Sequence, residues 1–249
     1  MIGALARDII LSLHGEKARR ATRDLDVAIA VSNWDSYQKV EEEIQKIEGF
    51  KKDTREKQRF LYRDTFIVDI VPFGDIMKED DKIYWPPDDT IAMTALGFPE
   101  AQKTANKVTI DGDLTIDVAS LAGIFILKLF AWSDRHLSSN KDADDMAFII
   151  SNYLNIHEER AANDHHTAIY LDDDFSTNTA GAKLLGIDIA VTLEDNASTK
   201  KKLSRLLEVE VKSGENSRLI NQILETHSSF SYEEVMKCLD YLLKGLYEN

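Results

Sequence analysis

The most regular pattern in the N-terminal half of the chain is Asp24-Leu25-Asp26-Val27-Ala28-Ile29-Ala30-Val31, where alternation of period two predicts a strand. Leu25, Val27, Ile29 and Val31 take one face, and Asp24, Asp26, Ala28 and Ala30 take the other. Around this strand, Ala4 to Leu13 reads as a short helix stopped by Gly15, and Trp34 to Ile47 as a helix capped by Ser32 or Asp35. Gln58 to Tyr62 and Thr65 to Val71 read as two more strands. Ile83 to Asp89 reads as a loop by its prolines, and Lys107 to Thr109 with Leu114 to Val118 as a hairpin around Asp111-Gly112-Asp113. After about Asp117 the period becomes helical. Ser120 to Arg135, Asp142 to Leu154, Ala180 to Ala190, Thr199 to Val209, Asn216 to His227 and Tyr232 to Leu246 carry apolar residues at helical spacing, with His165-His166 and Asp172-Asp173-Asp174 as loop. The expected fold class is α+β: a mixed β-sheet domain with helices over residues 1–118, then a C-terminal helical bundle over 119–249.

Asp24 and Asp26 point the same way, and two like charges side by side weaken a strand unless a cation meets them. Oxygen-only ligands at that spacing suit Mg2+ or Mn2+; the alternative is a solvated strand end or turn start. Asp69, inside the apolar run Phe66-Ile67-Val68-Asp69-Ile70-Val71, adds a third acid whose burial requires either a metal or a salt bridge. Three carboxylates on neighbouring strands can cage two Mg2+ ions for phosphoryl or nucleotidyl transfer. Gly3-Ala4 opens a helix whose free N–H groups suit a phosphate, and Arg7 in its first turns calls for an anion, either that phosphate or the neighbouring Asp8. Lys128 and Arg135 share a helix face that is otherwise apolar around Lys128, so the lysine either reaches a triphosphate or pairs with an acid at the rim. Asp142 and Asp145 stand near a helix start, where acids complement the dipole.

Composition narrows the setting. The chain has 249 residues, enough for one large or two modest domains with a real core. Its net charge of -14 argues against broad nucleic-acid binding. Two local basic stretches remain as candidates or as solvated helix faces: Lys51-Lys52 with Arg55, Lys57 and Arg59, and Lys200-Lys201-Lys202 with Arg205. The longest apolar stretch, Leu121 to Leu127, is too short to span a bilayer, so no membrane association is expected. No secretory signal opens the chain, so a cytoplasmic location is expected, and the single Cys238 fits a helix core in a reducing compartment. His165-His166 lacks further ligands at zinc spacing and reads as a solvated loop.

Taken together, Gly3-Ala4-x-x-Arg7-Asp8, Thr22-x-Asp24-Leu25-Asp26, Val68-Asp69-Ile70-Val71-Pro72-Phe73, Lys128 with Arg135, and Lys141-Asp142-Ala143-Asp144-Asp145 resemble the motifs of the AbiEii-type nucleotidyltransferases (AbiEii/AbiGii toxin family). These belong to the DNA polymerase beta-like nucleotidyltransferase superfamily. The resemblance runs over about residues 3 to 190 and includes Lys183-Leu184-Leu185-Gly186-Ile187-Asp188. It implies a nucleotidyltransferase domain at residues 1–118 and an NTP bound in a cleft between that domain and the helical one. It further implies that Asp24 and Asp26 bind both metals and that Asp69 completes the site as a metal ligand or base. By the same resemblance Gly3, Ala4 and Arg7 contact the triphosphate, Lys128 and Arg135 hold phosphates, and Asp142 occupies a further acidic motif position. Two departures are visible: Gly-Gly or Gly-Ser usually stands where this chain has Gly3-Ala4, and the strand and helix that usually precede the motif are not found before Met1-Ile2.

The function expected is a metal-dependent transfer of NMP from a nucleoside triphosphate to a hydroxyl acceptor, which is RNA such as tRNA, a protein or a small molecule. A toxin–antitoxin or phage-defence role brings an antitoxin as partner. The alternatives are a catalytically silent module of the same fold that binds nucleotide or a partner, and a metal-dependent phosphohydrolase, against which the lack of histidine near the acids speaks.

Overall fold

A computed structural model of the chain describes residues 1–16, 24–172 and 175–248. Thr22 and Arg23 of the acidic motif, and Asp173 and Asp174 of the loop expected after Leu171, lie outside the described residues. The chain divides into two compact units, Met1–Ser120 and Leu121–Asn249. The class is α+β, with strands confined to the first unit among the described residues.

In the first unit, helix α1 (Gly3–Leu13) leads to strand β1 (Asp24–Val31) and helix α2 (Trp34–Lys46). Strands β2 (Phe50–Lys52), β3 (Arg59–Tyr62) and β4 (Phe66–Gly74) then complete a four-stranded sheet in the order β1-β4-β3-β2. β1 pairs parallel to β4, while β3 runs antiparallel to both of its neighbours. A hairpin of β5 (Lys82–Tyr84) and β6 (Ala92–Thr94) follows, then helix α3 (Phe98–Lys103), then the hairpin β7 (Asn106–Ile110) with β8 (Leu114–Val118). Val68 and Ile70 of β4, opposite Leu25 and Val27, pack with Phe60, Tyr37 and Trp85 into the core, and the Tyr37 hydroxyl donates to the Ile70 carbonyl at 2.9 Å.

Several local expectations change. The cap of α2 is Asn33, whose side chain accepts from the Ser36 amide at 2.8 Å; Asp35 already lies inside the first turn and Ser32 stands one residue too early. Ile83 and Tyr84 are strand rather than loop. The prolines break the chain only from Pro86 onward, and Ile83 and Trp85 go into the core. Strand β2 and helix α3 were not anticipated. β2 is three residues long in a lysine-rich stretch and is held by β3, where the Phe50 and Tyr62 rings meet at 4.8 Å. α3 starts from the left-handed Gly97 and Pro99.

In the second unit come α4 (Leu121–Arg135), α5 (Lys141–Ile156), α6 (Glu158–Asp164) and α7 (His166–Tyr170). They are followed by α8 (Thr177–Thr192), α9 (Ala197–Ser213), a 3-10 turn at Gly214–Asn216, α10 (Arg218–Thr226) and α11 (Tyr232–Tyr247). Side chains of Ser176, Asn196, Ser217 and Ser231 cap α8, α9, α10 and α11, so these helix starts are written locally in the sequence. α8 lies at the centre of the unit, against α5 and α11. His166 opens α7 instead of standing in a loop, and its ring lies 5.5 Å from that of Tyr170. Cys238 is buried in α11, and burial pushes its thiol up to about 12. Among the described residues no helix is long and apolar enough to cross a membrane.

Candidate active site

The acids of the first unit are placed by strand register. Asp26 of β1 stands opposite Asp69 of β4, and Arg59 of β3 stands opposite Asp69 from the other side. Opposed residues share a face, so Asp26, Asp69 and Arg59 form a row across three strands, and Asp24 lies two residues along on the same face. Arg59 holds both oxygens of Asp69: Nε donates to Oδ1 at 2.9 Å and Nη2 to Oδ2 at 2.8 Å. The Asp69 side chain is only 13% exposed, so this bidentate bond supplies the partner that its burial requires. The hydrogen bond to Asp69 is the main cause raising the Arg59 guanidinium, and the Asp24 charge adds to it.

At the other edge of the row, the chain before α1 closes on β1. The Ile2 amide donates to the Asp26 carbonyl at 2.9 Å in an isolated bridge. Gly3 adopts φ +75°, and a Cβ there would lie 2.1 Å from Asp26 Oδ2. Backbone conformation and contact both demand glycine, and the Asp26 carboxylate therefore lies directly against the start of α1. The cap residue Ile2 brings no side-chain hydrogen bond to that start, and no acid stands in its first turn. Ala4 is buried. Arg7, 2% exposed, donates through Nε and Nη2 to Asp8 Oδ1 at 2.8 and 2.6 Å, so the local ion pair is formed.

As a donor set, three carboxylates on one sheet face suit a hard divalent cation. As arranged here they do not converge: Asp69 is turned to Arg59, and among the described residues no three His, Cys, Asp or Glu side chains come close enough to share an ion.

The second unit holds its own charged cluster. Lys128 of α4 lies 2.6 Å from Asp145 Oδ2 and 3.4 Å from Asp142 Oδ1, both on α5. Arg135 of α4 donates to the two Asp142 oxygens at 2.7 Å each. Burial alone would raise the Asp142 carboxyl. The Arg135 hydrogen bond and the Lys128 and Arg135 charges outweigh it and hold the group below the ordinary carboxylate range. That depressed value stabilises the fold above the unfolded carboxyl value near about 4, and the contribution vanishes as pH falls through the folded value. Asp142→Asn is therefore expected to cost roughly 3 kcal/mol at neutral pH, as for a broken buried pair. The gap between wild type and variant in urea midpoints should close as pH falls below about 4. A gap unchanged by acid would contradict an ionised Asp142.

Arg59 and Asp145 are the residues that the site readings left out. Arg59 appeared only as part of a lysine-rich stretch, yet an arginine inside the strand-like Arg59-Phe60-Leu61-Tyr62 is itself a signal that a carboxylate awaits it. Asp145, one turn beyond Asp142, is 1% exposed, a degree of burial that an acid present only for a helix dipole does not need. The stretch around Lys51 is no helix face. Lys51 and Lys52 lie on β2 and pair with Asp64 and Glu41.

The family model of the nucleotidyl transferase AbiEii toxin, type IV toxin–antitoxin system, matches residues 3–208. No curated protein matches the chain.

Proposed function

The chain belongs to the AbiEii nucleotidyl transferase toxin family of type IV toxin–antitoxin systems, and from that premise we propose that it moves NMP from a nucleoside triphosphate to a hydroxyl acceptor, releasing pyrophosphate. The observation that carries this reading is the acidic row on β1 and β4, with Asp26 seated against Gly3 at the start of α1. Asp24 and Asp26 would hold Mg2+ or Mn2+, and Asp69 would join them on exchanging Arg59 for the ion. The cation supplies charge neutralisation for the triphosphate. The N–H groups of α1 at Gly3 and Ala4 would offer a seat for phosphate oxygens, and Arg7, held by Asp8, stands one turn further on. To Lys128 and Arg135 we assign phosphate binding, with Asp142 and Asp145 holding their side chains in place. RNA such as tRNA is the acceptor we favour, and an antitoxin is the partner that the family brings.

Incubation with each labelled NTP, Mg2+ or Mn2+ and cell extract, followed by separation of RNA, protein and small molecules, tests this. Label is expected in a macromolecular or small-molecule acceptor, with pyrophosphate released, and excess EDTA should abolish it. Nucleotide binding by calorimetry without any transfer would overturn it in favour of a silent module.

A further inference from the structure

Asp69 has a rival partner on each flank. Strand register sets Asp26 of β1 opposite it on one side and Arg59 of β3 on the other, so this carboxylate stands between an acid that can share a cation with it and a cation built into the chain. Opposed residues on one sheet face are close enough for their side chains to meet. Here the arginine holds the position. Its fork spans both oxygens at 2.9 and 2.8 Å, and among the described residues Asp69 accepts a hydrogen bond from no other group.

The two members of the pair are not equally buried. The Arg59 side chain is 29% exposed and that of Asp69 13%. A guanidinium that lets go moves toward water, whereas the carboxylate it leaves is the deeper charge and requires another cation. Asp142 differs: it is 1% exposed and gripped by Lys128 as well as Arg135, so loss of one cation leaves it another. The oxygens of Asp69 have lone pairs for a second partner. A divalent ion and a guanidinium on one carboxylate would nevertheless stand only a few ångströms apart, and like charges that close repel strongly away from bulk water. The two cations therefore exclude each other.

We propose that Arg59 is an internal competitor for the divalent ion: its guanidinium occupies on Asp69 the place that the ion must take, and so sets the ion concentration at which the three-acid site assembles. The competition rests on the reading of Asp24, Asp26 and Asp69 as the ligands of that ion. Hydrogen bonds to a charged partner are worth roughly ten- to a hundredfold in an equilibrium constant, and the ion must overcome that factor before Asp69 joins the other two acids.

Binding of Mn2+ to the full chain without nucleotide or acceptor, followed by the electron paramagnetic resonance signal of the free ion, tests this. Wild type, R59Q, R59K, D69N and R59Q/D69N are compared, and circular dichroism checks that each is folded. R59Q should bind Mn2+ at least about tenfold more tightly than wild type. R59K, which keeps the charge and loses the fork, should lie between them. In the D69N background R59Q should change the affinity by less than about threefold, whereas a mere gain of negative charge would tighten binding in either background. A pair that only braces the sheet gives a different result: R59Q then lowers the melting temperature and leaves Mn2+ affinity alone. Should R59Q not fold, the wild type carries the test through the Arg59 Nε–H resonance, identified by its loss in R59K. Saturating Mg2+ should move that resonance to the position of a solvated arginine. Unchanged, weaker or absent Mn2+ binding by folded R59Q, equal tightening with Asp69 already replaced, or an Arg59 resonance untouched by Mg2+ overturns the competition. No turnover is needed, so the two readings fail separately. NMP transfer by a chain whose Mn2+ affinity ignores Arg59 sinks the competition alone; tighter Mn2+ binding by R59Q in a chain that transfers nothing sinks the transfer reading alone.

Discussion

Asp24→Asn and Asp26→Asn are each expected to lower the rate of NMP transfer by about three orders of magnitude. The size follows from the proposed role. A bound divalent ion contributes several kcal/mol to a phosphoryl-type transition state, and each 1.4 kcal/mol or so is a factor of ten. Asp69→Asn should in addition lower stability by roughly 1–3 kcal/mol, because it breaks the bidentate bond to Arg59 around a side chain only 13% exposed. Initial rates with labelled NTP, read beside thermal melts, separate the cases. Transfer that survives both Asp24→Asn and Asp26→Asn would remove these residues from the site.

What could be read from the sequence was whatever is periodic or locally capped. β1 announced itself by alternation, α4, α5, α8, α9 and α11 by apolar residues at helical spacing, and the β7–β8 hairpin by Asp111-Gly112-Asp113. What escaped depends on partners far along the chain. β2 exists because β3 pairs with it, and its three residues carry no pattern of their own. Ile83 and Trp85 sit beside prolines that speak for a loop, and only the core they enter makes the hairpin. The placement of candidate residues divides in the same way. Asp24 and Asp26 share a face by the period of a strand, which local sequence shows. That Asp69 faces Asp26 on one side and Arg59 on the other is a matter of register, which it does not. Likewise the spacing of Lys128 and Arg135 put them on one face of α4, whereas their meeting with Asp142 and Asp145 depends on how α4 packs on α5.

The packing of α8 on α11 carries the largest expected stability effect. The two helices cross at a pair of glycines that serve each other. A Cβ on Gly186 would lie 2.1 Å from the Leu242 carbonyl oxygen, and one on Gly245 would lie 2.0 Å from the Lys183 carbonyl oxygen. Both carbonyls belong to helix backbone and cannot rotate away as a side chain could. Alanine at either position must therefore push the helices apart and loosen the buried Leu184, Leu185, Leu239, Leu242 and Leu246 around them. In an ordinary helix Gly→Ala gains about 1 kcal/mol. At these positions the strain is opposite in sign and larger, since overpacking of a tight core costs about 1–3 kcal/mol and lost contacts add to it. Gly186→Ala and Gly245→Ala should thus each destabilise the second unit by roughly 3 kcal/mol, seen as a lower urea midpoint at unchanged slope. The pair of substitutions should cost less than the sum of the two, because the separation forced by the first makes room for the second. A midpoint raised by either single substitution would mean that the two helices do not approach this closely.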